Sequence, residues 1–223
     1  MDFQIEEIRR PISLKDEAYQ RIKQLILSGT LDSGDMLDID RLASGLGISR
    51  TPLREALLRL EQDGLVKTIP YKGTFVAEVF KKDVEEIYQV REVLESLAVR
   101  LATSAIPDDE LGEMQALFAS VEAEIAEGNF ELYAQSDTQF HDLITRHCGN
   151  EVLQQLLKTL ADRVHRVRIF SRKQAGPHID RSFQEHGLVL NALLERDVDS
   201  ASDLMAEHLR NAGRRIADLV QEE

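Results

Sequence analysis

The sequence of 223 residues predicts a mainly α-helical chain, an N-terminal winged helix-turn-helix followed by an all-α antiparallel helical bundle. Three observations carry that expectation. Residues 14–64 show three short amphipathic helix patterns divided by glycine turns, and a lysine-bearing hairpin pattern follows them. Beyond Asp83 no strand alternation occurs, only long helical periods separated by caps. The charge is also unevenly shared. Residues 1–77 hold 11 Lys/Arg against 12 Asp/Glu, whereas residues 78–223 hold 16 against 28, so nearly all of the net −13 lies in the second part. The expected domains are therefore residues 1–77 and 78–223, with the boundary near "FVAEVFKKD".

Composition narrows the class. With 43% hydrophobic and 30% charged residues the chain should be globular rather than disordered. No apolar run approaches the roughly 20 residues that span a bilayer, so no membrane partner is expected. The opening "MDFQIEEIRR" mixes acids into its first turns and is not expected to be a secretory signal. A lone cysteine, Cys148, allows no internal disulfide and fits a reducing, cytoplasmic setting.

In the first domain, Ala18, Ile22, Leu25 and Ile26 recur at helical spacing from Leu14 to Leu27, with Ser13 as N-cap and Gly29 beyond the end. After the loop "GTLDSGDMLD" a short helix turns Leu42, Ala43 and Leu46 inward and stops at Gly47. Ser49 or Thr51 then caps a helix that tolerates Pro52 in its first turn and buries Leu53, Ala56, Leu57 and Leu60. Gly64 suits the left-handed position after its end. Two helices joined by a tight glycine turn make a helix-turn-helix, whose second helix offers its N-terminal end to the major groove. Here that end carries Arg50, Thr51 and Arg54. Arginine can bind guanine O6 and N7 bidentately, and threonine reaches a phosphate or a thymine methyl. "LVKTI-PYKG-TFVA" reads as two strands around a turn, with Lys67 and Lys72 available to phosphates. The bland reading is that these cations only solvate a helix face. The turn, the hairpin and the basic helix end together outweigh it.

"LGISRTPLREALLRLEQDGLVKTIPYKGTFV" closely resembles the winged helix-turn-helix of GntR-type bacterial transcription regulators, over roughly residues 14–77. The resemblance implies that Ser49, Arg50, Thr51 and Arg54 meet operator DNA from the recognition helix, with Lys72 and Gly73 at the wing tip. Some members carry arginine two residues before the leucine at Leu42. This chain has Asp40 there, and Arg41 beside it is the expected substitute.

The second domain reads as six helices, with breaks at Pro107-Asp108, Gly128, Gly149-Asn150 and a loop at Gly176-Pro177, and a last helix from about Asp199 to Leu219. All six histidines lie in it: His141, His147, His165, His178, His186 and His208. In "SDTQFHDLITRHCGN", Asp137 precedes His141 by one helical turn and shares its face. By itself this is either half of a metal site or an ordinary Asp–His pair. His147 points to a different face. His186 sits mid-helix among Phe183, Val189, Leu190 and Leu193, and His208 follows Leu204 on the apolar side of the last helix. Three helices can thus bring one carboxylate and three imidazoles into the bundle interior. That donor set suits Zn first, with Ni, Mn or Fe as alternatives. Uncompensated polar groups in such a core would be costly.

This domain is similar to the all-helical FCD ligand-binding domain of the FadR branch of the family. In its metal-binding members an aspartate, a histidine four later and two histidines on the last two helices form the pattern matched by Asp137, His141, His186 and His208. The resemblance implies a metal-assisted pocket for a small carboxylate metabolite. Arg91, Arg163, Arg166 and Arg168 are candidate clamps, of which Arg91 and Arg163 lead, and Asn150 can add an amide. The expected function is a cytoplasmic, ligand-responsive regulator, a repressor, acting as a homodimer on a palindromic operator. Rival readings are a regulator whose effector is the metal ion itself, and a helical-bundle metalloenzyme. Against the enzyme, no general base stands out beside the site.

Overall fold

The computed structural model describes residues 13–174, 176–220 and 222. Among the described residues it holds nine helices and one two-stranded antiparallel sheet. The division into two compact units falls between Glu78 and Val79.

In the first unit α1 spans Leu14–Leu27, α2 Ile39–Leu46 and α3 Arg50–Gln62, followed by β1 Val66–Ile69 and β2 Gly73–Val76. Local chemistry sets the boundaries. Ser13 accepts a hydrogen bond from the Asp16 N–H at 3.3 Å and opens α1. Asp38 caps α2, accepting from the N–H groups of both Asp40 and Arg41 at 3.0 Å. Gly47 closes α2 at φ 66, a left-handed conformation that a Cβ would strain, and so makes the sharp turn into α3. The faces of these helices meet in a small core around the fully buried Ile22, Leu53, Leu60 and Leu65. In the hairpin Val66 lies opposite Val76 and Ile69 opposite Gly73, and the Lys72 N–H donates to the Ile69 carbonyl at 3.0 Å across the turn.

The second unit is a bundle of α4 Lys81–Ala102, α5 Asp108–Ala126, α6 Glu131–His147, α7 Glu151–Gln174, α8 Gly176–Leu194 and α9 Val198–Ala217. Pro107 precedes α5, and Asp197 caps α9 by accepting from the Ser200 N–H at 3.0 Å. The loop expected at Gly176-Pro177 is instead the first turn of α8. Proline costs no hydrogen bond there, because the first N–H groups of a helix have no partner inside it. The core runs the length of the bundle through Val84, Ala98, Val99, Leu111, Phe140, Leu193, Met205 and Leu209. α9 lies so near α4 that a Cβ added at Gly213 would come within 2.8 Å of Tyr88 Cβ. Among the described residues, no helix is long and apolar enough to cross a membrane.

Candidate functional site

The apolar stripes of α6, α8 and α9 each carry a histidine inward. His141, His186 and His208 are 8%, 1% and 3% exposed. One ring nitrogen from each lies within 4.8 Å of the other two. Phe140 and Tyr133 flank the His186 ring at centroid distances of 5.2 and 6.4 Å, so this polar cluster is walled by aromatic surface.

Two glutamates orient the outer edges of the rings. Glu95, from α4, accepts from His141 Nδ1, and Glu185, from α8, accepts from His208 Nδ1 at 2.8 Å. An ionised carboxylate only accepts, so each Nδ1 carries the proton, and in the neutral ring Nε2 then presents a lone pair inward. His141 Nε2 is buried without a hydrogen-bond partner. His208 Nε2 lies 2.9 Å from His186 Nε2. That separation requires either a proton on one of the two nitrogens or a shared cation. Asp137 completes the set. Its Oδ1 is 3.8 Å from His141 Nε2 and 3.7 Å from His186 Nε2, while its Oδ2 pairs with Arg168 at 3.0 Å.

The charge states suit ligation. Burial, together with the neighbouring His208, His141 and Arg168, pushes the His186 imidazole well below its usual range. Burial likewise lowers His208, although its bond to Glu185 opposes the shift. Both rings are therefore held in the neutral form that can bind a cation. Burial alone would raise the Glu95 carboxyl, yet Arg91 and His141 hold it well below the carboxylate range. Asp137 is lowered the same way, burial being outweighed by Arg168 and His141. Burial would raise Glu185 too, but Arg215 and His208 bring it down to about 2. Three imidazole nitrogens and one ionised carboxylate oxygen, with one nitrogen orphaned, fit a divalent transition ion. Asp137, His141, His186 and His208 are the residues that would hold it.

A cavity of about 60 Å³ opens beside this cluster, and Asp137 and His208 form part of its wall. Arg91, Arg168 and Arg215 also line it, with Tyr88 and Ser182. Each arginine is already paired: Arg91 to Glu95 at 2.6 Å, Arg168 to Asp137, and Arg215 to Glu185 at 2.6 Å. Of the expected effector residues Arg91 and Arg168 are here, and Arg91 is 2% exposed with its guanidinium 4.6 Å from the Tyr88 ring centre. Arg163 is exposed and does not line the cavity, because the inward face of α7 is set by Val164, Val167 and Arg168. Asn150 is also absent from the wall. Its side-chain oxygen caps α7 by accepting from the Leu153 N–H at 3.1 Å. His147 pairs with Glu110 at 3.0 Å, away from the cluster, and Cys148 is buried in the core. His178 lies among residues whose side chains are outside the description.

Glu95, Glu185 and Arg215 were missed by the sequence reading. Glu95 left a usable signal: with Arg91 four residues earlier, it interrupts the apolar stripe formed by Val84, Tyr88, Ala98 and Ala102. Charged residues in a core stripe are rarely unpaired.

In the first unit, Arg41, Ser49, Arg50, Thr51, Arg54, Lys72 and Gly73 are all exposed. The first turn of α3 holds no acidic residue, and Ser49 makes no side-chain cap. The N–H groups at that end remain open to an anion such as phosphate. Arg50 Nε pairs with Asp40 at 2.6 Å across the turn.

Comparison with known families decides what this two-unit plan is. Residues 14–76 match the family described as "Bacterial regulatory proteins, gntR family", and residues 86–211 match the FCD domain. The chain belongs to the GntR family, with an FCD domain. It is a GntR/FCD transcription regulator and not an enzyme. GntR regulators bind DNA, and FCD domains bind small-molecule effectors. This GntR regulator is 27% identical over 223 residues to YdhC of Bacillus subtilis (strain 168), an uncharacterized HTH-type transcriptional regulator, covering 99% of this chain and 97% of YdhC. It is 22% identical over 209 residues to the HTH-type transcriptional repressor RspR of Escherichia coli (strain K12), covering 94% and 91%. Among solved structures it is similar to E. coli McbR/YncC, with a TM-score of 0.74 and 25% identity over 94% of this chain and 99% of that one.

Proposed function

We propose that this GntR regulator is a cytoplasmic, metal-dependent sensor of a small organic acid, and that the acid controls operator binding by a homodimer. The observation that carries the metal reading is the orphaned, buried Nε2 of His141, facing two further imidazole nitrogens. A buried polar atom without a partner costs about 1–3 kcal/mol, which a shared cation removes. Zinc is the ion best suited to this nitrogen-rich set, with Ni, Mn or Fe as alternatives.

Charge argues for the acid. The arginines of the cavity are each cancelled by a carboxylate, and burial holds His186 and His208 neutral. A bound dication would therefore add uncompensated positive charge and an open coordination position, both of which a carboxylate answers. Arg91, Arg168 and Arg215 then provide the donors that orient the rest of the molecule. The cavity, about 60 Å³, exceeds the roughly 10–15 Å³ that one water needs, and a small acid fits that scale.

The homodimer reading rests on α4. Val90, Val93, Leu97 and Leu101 are 46%, 69%, 42% and 41% exposed, and together they form an apolar stripe. A two-fold dimer presents two α3 helices to a two-fold operator, at Arg41, Ser49, Arg50, Thr51 and Arg54, with Lys72 and Gly73 on the wing. The acid changes DNA affinity only through its preference between two dimer geometries. Repression is the sense favoured by the likeness to RspR, a transcriptional repressor, and the acid then acts by releasing the operator.

Isothermal calorimetry of small mono- and dicarboxylates against metal-loaded and chelator-stripped protein tests this. Acid heats should appear in the loaded protein and vanish in the stripped one, and His186→Ala should lose both metal and acid response. Equal acid binding by stripped protein would remove the metal from the sensor. Unchanged metal content in His186→Ala by elemental analysis would break the ligand set.

A further inference from the structure

The DNA-facing end of α3 contains one feature that its basic character does not explain. Asp40 occupies the second position of α2, yet that helix end is already capped by Asp38 through the Asp40 and Arg41 N–H groups. The Asp40 carboxylate instead reaches over the Gly47 turn and takes Arg50 Nε at 2.6 Å. The two side chains are 67% and 62% exposed, so the contact adds little to stability. It also places a negative charge beside Ser49, Thr51 and Arg54, at the surface that must approach phosphates. A carboxylate there weakens binding to any duplex, which makes its presence a question of selectivity.

We propose that Asp40 is a positioning residue that sets the base preference of Arg50, a role resting on the recognition-helix reading above. The geometry supplies the means. An ion pair at Nε biases where the guanidinium and its two terminal nitrogens lie. Those nitrogens form the edge that pairs bidentately with guanine O6 and N7. A free arginine at the same place would adapt to a phosphate or to other acceptors. The paired one favours guanine at a single position in each half-site. Asp40 thus has two effects, both through its charge: it biases the place of Arg50, and it disfavours non-specific contact.

Selection of full-length protein against a random duplex pool tests this, with Asp40→Ala, Asp40→Asn and Arg50→Ala in parallel. Wild type should select a two-fold motif with one guanine per half-site that Arg50→Ala no longer requires. Asp40→Ala should weaken the preference for that same guanine and for no other base. Its discrimination there should fall by no more than about 5-fold, the most an exposed ion pair supplies. Asp40→Asn removes the charge and should weaken the guanine preference as Asp40→Ala does, and both Asp40 variants should bind unselected duplex more tightly. Asp40→Ala and Arg50→Ala affecting different bases, or Asp40→Ala selecting the wild-type motif unchanged, would overturn the role of Asp40 alone. A wild-type motif that Arg50→Ala also selects would overturn the recognition reading beneath it.

Discussion

The Glu95 and Glu185 carboxylates perform the same orienting task in unequal surroundings. Each accepts from the Nδ1 of a histidine and so aims the other ring nitrogen inward. Losing such an outer partner typically costs about 10–100-fold in metal affinity. Glu185→Gln and Glu95→Gln should both show that loss in competition with a chromophoric chelator. They should differ in stability. The Arg91 side chain is only 3% exposed and depends on Glu95, so Glu95→Gln strands a buried cation at about 3–5 kcal/mol. Arg215, 13% exposed, also donates to Ser182 at 3.0 Å, and Glu185→Gln should be much milder in urea unfolding. Full metal affinity in Glu185→Gln would count against carboxylate-oriented ligands.

Helix packing places the site, and α4 against α9 is the contact that matters most. Gly213 allows that approach, because an added Cβ would meet Tyr88 Cβ at 2.8 Å and Cγ at 3.0 Å. Side-chain rotation cannot clear the overlap, since Tyr88 Cβ is fixed by the α4 backbone. Gly213→Ala gains roughly 1 kcal/mol of helix propensity but meets about 1–3 kcal/mol of overpacking. The strain should win, lowering the melting temperature by ~2–4 °C per net kcal/mol. Tyr88 lines the cavity and lies under Arg91, so acid affinity should fall as well. A Tm equal to or above wild type would mean the helices separate without penalty.

For the molecule as a whole, the expected assembly depends on the exposed stripe of α4. Leu97→Asp places a charge in the middle of that stripe without touching the histidine cluster. The variant should sediment as a monomer and lose operator affinity, while metal content stays at wild-type level. A dimer of unchanged stability in Leu97→Asp would assign the interface to another face.

Much of this plan was readable in the chain because it rests on local rules. Helical periodicity and caps marked the three helices and hairpin of the first unit and the six helices of the second. An aspartate and a histidine four apart must share a helix face wherever the helix goes, so Asp137 and His141 were legible as a pair. The GntR signature was legible for the same reason, being a run of neighbouring residues. Partnerships between elements are another matter. Asn150, whose amide suits a ligand, caps α7, and Arg163 and Arg168 lie on different faces of α7. Glu95 at His141, Arg215 at Glu185 and Asp40 at Arg50 join residues 46, 30 and 10 positions apart. Periodicity specifies which side of a helix a residue occupies. Only the packed bundle decides which side chain of another helix it meets, because that depends on helix spacing and rotation set by the whole core.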